Sequence, residues 1–229
     1  PDNTSTVRAM FRLILFDIDG TLIRTGGAGV RAFGSVFEEA FGHATGTEGI
    51  HFAGRTDSSL VREMLVNHGL EPNRENFAKF FDRYAHWLRH WLGKLPGAMC
   101  LGVDGFMRHC VERSNPPVVG LLTGNVRLGA EIKLRHFGIW EHFEMGAFGD
   151  DHEDRNELAA IAWSRGRERL GAGLHAEEIL VVGDTPRDVA CARHIGAKVV
   201  AVTTGGATRD ELAASKPDWL VADLTELQW

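Results

Sequence analysis

The sequence predicts an α/β protein: a doubly wound parallel sheet with a helical block inserted after its first strand. Three observations carry that prediction. Short runs of Val, Ile and Leu, the composition of strands buried on both faces, alternate with amphipathic helical segments along residues 96–229. The first apolar run, Leu13-Ile14-Leu15-Phe16, ends abruptly on Asp17-Ile18-Asp19-Gly20-Thr21. Two carboxylates therefore stand at a strand's carboxyl end, where open α/β sheets place ligands. Between that strand and the later alternation, residues 24–95 show helical periodicity and turn signals only.

Composition narrows the class. A chain of 229 residues with 44% hydrophobic and 24% charged residues can bury a sizeable core and has no disorder signature. Its formal charge of −6 comes without a basic block, which argues against nucleic acid as a partner and requires local donors to hold any anionic substrate. Three cysteines, Cys100, Cys110 and Cys191, lack C-x-x-C spacing, so neither a disulfide framework nor a zinc knuckle is expected. The segment from Pro1 to Met10 is polar, without a secretory h-region, and no run approaches the roughly 18 apolar residues of a membrane span. The expectation is a soluble cytoplasmic protein without a membrane partner; the sequence sets no oligomeric state.

Taken in order, the glycine-rich passage from Arg24 to Gly29 fits neither Gly-x-Gly-x-x-Gly nor the Walker pattern and reads as a hinge. It leads into a helix with Val30, Phe33, Phe37 and Phe41 on one face. A second helix is expected over 57–68, with Leu60, Val61 or Met64, and Leu65 inward and Gly69 beyond its end. Phe77, Phe80, Phe81, Tyr84, Leu88 and Trp91 then recur at helical spacing, the mark of a long packing helix. His86 and His90 share one face of it but lack a third ligand for zinc. The turn Lys94-Leu95-Pro96-Gly97 returns the chain to the sheet. Helices follow over 103–113, 126–137, 156–170 and 187–195, with strands over 117–122, 179–182, 198–202 and 219–221. The domain reading is a core of 1–23 and 96–229, with a helical cap of 24–95.

Two further strings close predicted strands. Thr123-Gly124-Asn125 follows Leu121-Leu122, so the Thr123 hydroxyl and nearby backbone N–H groups can face a phosphate. Gly183-Asp184-Thr185-Pro186-Arg187-Asp188 supplies Asp184, placed to share a divalent cation with Asp17 and the backbone carbonyl of Asp19. Asp188, one helical turn later, is an additional ligand or supports one. In the helical block, Gly54-Arg55-Thr56-Asp57 precedes a helix: Arg55 either reaches a substrate carboxylate or second anionic group, or belongs to a turn in which Asp57 caps the helix.

These strings resemble the first, second and fourth motifs of the haloacid dehalogenase-like hydrolases, in particular the phosphoglycolate phosphatase-like subgroup. The resemblance spans nearly the whole chain and implies a Rossmann-like core with a cap inserted after the first strand. It implies Asp17 as the nucleophile forming an aspartyl-phosphate, Asp19 as general acid and base, and Mg²⁺ as cofactor on Asp17, Asp19, Asp184 and Asp188. The expected substrate is a small phosphorylated metabolite. The third motif departs: relatives usually present Lys, whereas this chain reads Asp154-Arg155-Asn156. Arg155 is the candidate basic residue, because a guanidinium can hold phosphate and carboxylate in one fork. Were Arg155 paired with the acidic run of Asp150, Asp151, Glu153 and Asp154, Lys133 would take the role. Asp19 argues against the dehalogenases and phosphonoacetaldehyde hydrolases of the superfamily. A phosphosugar mutase, and outside catalysis a phosphate-binding regulatory module, remain as alternatives.

Overall fold

The computed structural model describes residues 11–227; the polar segment read as lacking a secretory signal lies outside the described residues. Strand β1 (Leu13–Phe16) is buried at every position because it is central. It pairs in parallel with β4 (Val118–Leu122) on one side and β6 (Ile179–Gly183) on the other. With β5 (Met145–Ala147), β7 (Lys198–Val202) and β8 (Trp219–Val221) the sheet order is β5-β4-β1-β6-β7-β8, and every pairing is parallel. The chain builds outward from β1 to β5, then crosses back to β6 and builds the other way. That reversal beside β1 opens the crevice in which α/β sheets bind ligands.

Side-chain alternation along β1 feeds two cores. Ile14 and Phe16 join Phe106 of α4 (Val103–Glu112) and Leu134 of α5 (Arg127–His136) on one face. Leu13 and Leu15 join Leu158 and Ala162 of α6 (Arg155–Leu170) and Val189 of α7 (Pro186–His194) on the other. Both faces are covered, which explains why the strands read as continuous apolar runs. A short α8 (Arg209–Ala214) precedes β8.

The inserted residues form α1 (Ala28–Phe41), α2 (Asp57–Asn67) and α3 (Arg74–Leu92), packed around a core of their own that includes Phe33, Phe37, Met64, Phe80 and Tyr84. Val126 and Ile132 from the α5 region complete this cluster, so the insert rests on the sheet domain's second crossover. The buried stripe of α1 is Ala28, Ala32, Phe33, Val36 and Phe37, rotated from the expected one: Val30 is 41% exposed. The two segments joining insert to sheet, β2 (Ile23–Arg24) and β3 (Ala98–Met99), pair antiparallel as a two-stranded ribbon. Gly26, at φ +62, lies so close to the Pro96 carbonyl that a Cβ would stand 2.2 Å from its oxygen. Among the described residues no helix is long and apolar enough to cross a membrane, and the three cysteines are free thiols.

Candidate active site

The buried charged side chains, Asp17, Asp57, Lys133, Arg155, Asp184 and Asp188, gather around the carboxyl end of β1. Burying charge without partners is costly, so each partnership reports what the site is built to hold. Asp17 continues the ladder of β1, its N–H donating to the Val182 carbonyl at 2.9 Å, which fixes its carboxylate at the centre of the crevice. Asp19, two residues on, points the same way but is more open, its side chain 43% exposed. Its Oδ2 accepts from Lys133 Nζ at 2.6 Å and from Asn125 Nδ2 at 2.9 Å. Lys133 also donates to Asn125 Oδ1 at 2.6 Å, closing a triangle of ammonium, amide and carboxylate.

Thr123 and Asn125 occupy the tip of β4. The Thr123 hydroxyl accepts from Asn125 Nδ2 at 3.0 Å, and Thr123 is fully buried beneath the cavity-lining Gly124 and Asn125. Gly124 is needed for close approach, since a Cβ there would stand 2.1 Å from the Arg55 carbonyl oxygen.

Asp17, Asp184 and Asp188 bring ligand oxygens within 4.8 Å of one another. Asp184 accepts from the Thr21 hydroxyl at 3.2 Å and from the Gly206 N–H at 3.3 Å, and Gly205 leaves it room: a Cβ there would meet Asp184 Oδ2 at 1.5 Å. Asp188 accepts from the Thr185 N–H and hydroxyl at 2.9 and 2.7 Å through one oxygen and from Arg155 through the other. Burial pushes Asp17 up to about 6 against the opposing pull of Arg155; burial and the Asp188 and Asp17 charges push Asp184 up to about 8. Three buried carboxylates with one guanidinium among them leave negative charge uncompensated. The donor set, all hard oxygen, fits a divalent cation such as Mg²⁺. The Asp19 carboxylate stands apart from this cluster, on Lys133.

Arg155 opens α6 as its first residue, after Asp154, whose side chain caps the helix by accepting from the Asn156 N–H. Its guanidinium turns inward: Nη2 bonds Asp188 and lies 3.5 Å from Asp17 Oδ1. The acidic run ahead of it finds other partners, Asp151 in a fork with Arg165 and Glu153 with Arg62. The condition under which Arg155 would have been a surface pair is therefore not met, although Lys133 is equally buried in the site.

Arg55 lines the same cavity, with Nη1 paired to Glu63 and Nη2 donating to the Ser59 carbonyl. A substrate anion there would have to compete with Glu63. Thr56, not Asp57, caps α2: its side chain accepts from the Ser59 N–H. Asp57 is free of that duty because it crosses to the sheet domain, accepting from the Val126 N–H at 2.9 Å while its own N–H donates to the Gly124 carbonyl at 2.7 Å. Asp57, Thr21, Tyr84 and the Gly205-Gly206 turn were absent from the sequence reading of the site. Thr21 and Asp57 end strings the sequence does single out, Gly205-Gly206 is a glycine pair just past the carboxyl end of β7, and Tyr84 shows only as a packing aromatic.

The family profile described as haloacid dehalogenase-like hydrolase matches residues 14–202. The chain belongs to the haloacid dehalogenase-like hydrolases. A phosphoglycolate phosphatase from Synechococcus elongatus is 29% identical over 214 residues, 93% of this chain and 94% of the relative. A validoxylamine A 7'-phosphate phosphatase from Streptomyces hygroscopicus subsp. limoneus is 25% identical, covering 96% and 97%. In fold, the structure of CbbY from Rhodobacter sphaeroides in complex with phosphate superposes with a TM-score of 0.72 at 19% identity, covering 95% and 96% of the two chains. Like these curated relatives, the chain is a phosphatase of this family.

Proposed function

We propose that this phosphatase is Mg²⁺-dependent and hydrolyses a small phosphomonoester, phosphoglycolate or a metabolite handled in the same way, through a phosphoryl group carried on Asp17. The observation that carries the reading is the position of Asp17, 3.5 Å from the Arg155 guanidinium and clustered with the carboxylates of Asp184 and Asp188. A carboxylate so placed can form an O–P bond as the ester P–O bond breaks, splitting one slow hydrolysis into two transfers. Asp19 gives its proton to the leaving alkoxide. It then takes one from the water whose oxygen displaces Asp17 from phosphorus, which restores both carboxyl groups. With Oδ2 of Asp19 held by Lys133 and Asn125, Oδ1 is the oxygen that carries this proton. Arg155 steadies the transferring phosphoryl oxygens. A divalent ion on Asp17, Asp184, Asp188 and the Asp19 carbonyl would neutralise charge on nucleophile and phosphoryl group alike.

Residues 24–95 are read as a cap. The β2–β3 ribbon gives them paired hinges, and the Asp57 bonds to Gly124 and Val126 tie them down over the crevice. The substrates named for the relatives, phosphoglycolate and validoxylamine A 7'-phosphate, differ widely in size, so kinship leaves the leaving group open.

A panel of phosphate esters assayed with Mg²⁺ tests the reading. Release of phosphate that disappears in Asp17→Asn supports it, and turnover by that variant near the wild-type rate contradicts it. A requirement for a bisphosphate activator would instead indicate a phosphosugar mutase.

A further inference from the structure

Resting on the phosphatase reading, the passage from Arg24 to Gly29 acquires a role beyond that of a hinge. One cavity of about 570 Å³ holds Asp17 and Asp19 and is lined also by Arg24, Thr25, Gly26, Gly27 and Gly29. Four cations line this cavity, and three of them hold carboxylates: Arg55 pairs with Glu63, Lys133 with Asp19, and Arg155 with Asp188. Arg24 differs. Its Nε donates to the Thr204 carbonyl at 2.6 Å, and among the described residues it has no acidic partner. The Thr204 hydroxyl donates in turn to the Gly20 carbonyl at 2.6 Å, so the guanidinium is anchored to the turn that follows Asp19. Anchoring through Nε leaves both Nη groups, which can grip an oxyanion together, without an acceptor among the described residues.

A second observation lies next to it in the chain. Thr25 is 8% exposed and lines the cavity, yet its hydroxyl has no hydrogen-bond partner among the described residues. It is not sealed off as the Tyr84 hydroxyl is, so what fills the cavity can reach it. A mostly buried hydroxyl without a partner is costly, and a ligand that accepts from it removes the cost. The start of α1 adds donors on the same stretch. Its N-cap, Gly27 at φ +88, offers no capping side chain, and no acidic residue stands in the first turn. A Cβ on Gly27 would meet nothing within 4 Å, so the space above it is open, whereas one on Gly29 would stand 3.5 Å from Lys133 Nζ. The uncapped turn therefore lies beside the ammonium that holds Asp19, with the partial positive charge of a helix start unanswered.

We infer that Arg24, Thr25 and the first turn of α1 form a subsite for an oxyanion carried by the leaving group, a carboxylate or a second phosphate. Arg24 grips it through Nη1 and Nη2, and the Thr25 hydroxyl donates a further bond. The second anion of the substrate is thereby assigned to the passage ahead of α1 and not to Arg55, whose guanidinium is held by Glu63 and the Ser59 carbonyl. Arg24 and Thr25 set specificity and take no part in the phosphoryl transfer itself.

The test uses two pairs of esters that share a carbon skeleton and differ in charge, assayed with Mg²⁺: phosphoglycolate against 2-hydroxyethyl phosphate, and glycerol 1,3-bisphosphate against glycerol 1-phosphate. The wild type should prefer the anionic member of at least one pair in kcat/KM, and the pair that shows the preference tells carboxylate from phosphate. Arg24→Gln should shrink that preference by about tenfold or more, through the KM of the anionic member, as expected for hydrogen bonds lost to a charged group. Thr25→Val, which leaves the ribbon intact, should shrink it about threefold. A wild type that prefers the anionic member of neither pair, an Arg24→Gln that lowers both members of a pair equally, or a preference that survives both variants would overturn the inference while leaving the phosphatase reading intact. Release of phosphate from none of the four esters, nor from 4-nitrophenyl phosphate, would overturn both.

Discussion

The Arg155 guanidinium lies 3.5 Å from Asp17 Oδ1 while bonding Asp188, so one cation bridges the first and last carboxylates of the site. Relatives usually place a lysine ahead of this helix, and the fork of arginine suits a residue that must serve two anions at once. Arg155→Ala should therefore lower kcat and kcat/KM on every ester by ~10²–10³, the usual loss for one electrostatic donor. Because the change also leaves Asp17 and Asp188 facing each other, melting should be followed alongside; Arg155→Lys should recover more stability than rate. A silent Arg155→Ala with an inactive Lys133→Ala would transfer the role to Lys133.

Lys133 is assigned here to Asp19. Removing its ammonium in Lys133→Met should let the Asp19 carboxylate swing, with kcat falling and KM little changed. Asp19→Asn sets the outer limit, ~10²–10⁴ for loss of proton transfer. Steady-state kinetics on one ester checks both, and a Lys133→Met effect confined to KM would contradict the positioning role.

Metal removal gives a prediction with two readouts. Chelation should abolish turnover and Mg²⁺ restore it, with Asp184→Ala needing far more metal than wild type. Binding measured by calorimetry on Asp184→Ala separates lost affinity from lost chemistry. Full activity after exhaustive chelation would contradict the proposal.

The buried carboxyls also set a pH dependence of stability. Asp17, Asp57 and Asp184 sit near 6, 7 and 8 in the metal-free fold, chiefly because burial penalises their charged forms. The unfolded chain releases those protons near pH 4. Between about pH 4 and 8 the native state thus holds more protons than the unfolded one, so metal-free stability falls as pH rises through that window. In chelator the melting temperature should drop from pH 6 to pH 8, and Mg²⁺ should raise it most at pH 8, where the ligands are ionised. Asp184→Asn in chelator at pH 8 should melt above wild type, by about 2–4 °C for each kcal/mol of repulsion relieved in a chain of this size. A metal-free melting temperature that rises from pH 6 to pH 8 would contradict this.

Much of this was legible in the sequence because it lies in local strings. Leu13 to Thr21 announces strand, turn and carboxylates within nine positions, and the long helical stripe from Phe80 to Leu88 needs only its period. What stayed hidden depends on contacts between distant segments. The strand Met145–Ala147 is three residues long and held by β4, and the β2–β3 ribbon joins residues far apart in the chain, so neither shows a period. Tyr84 read as one more packing aromatic, which its ring is; that its hydroxyl lacks a partner among the described residues follows only from what α1 and α5 place around it. Asp57 read as a helix cap because caps are local, whereas its partner, the Val126 N–H, lies across the crevice.

The central claim is that phosphorus is transferred to Asp17. The Asp19→Asn variant should form the phosphoryl-enzyme slowly and lose it more slowly still, because the water that attacks it lacks its base. Incubated with a hydrolysable ester and Mg²⁺, acid-quenched and digested, that variant should yield the peptide containing Asp17 heavier by one phosphoryl group, with the added mass absent in Asp17→Asn/Asp19→Asn. Added mass on another residue, or full phosphate release by Asp17→Asn with no modified peptide, would contradict the account.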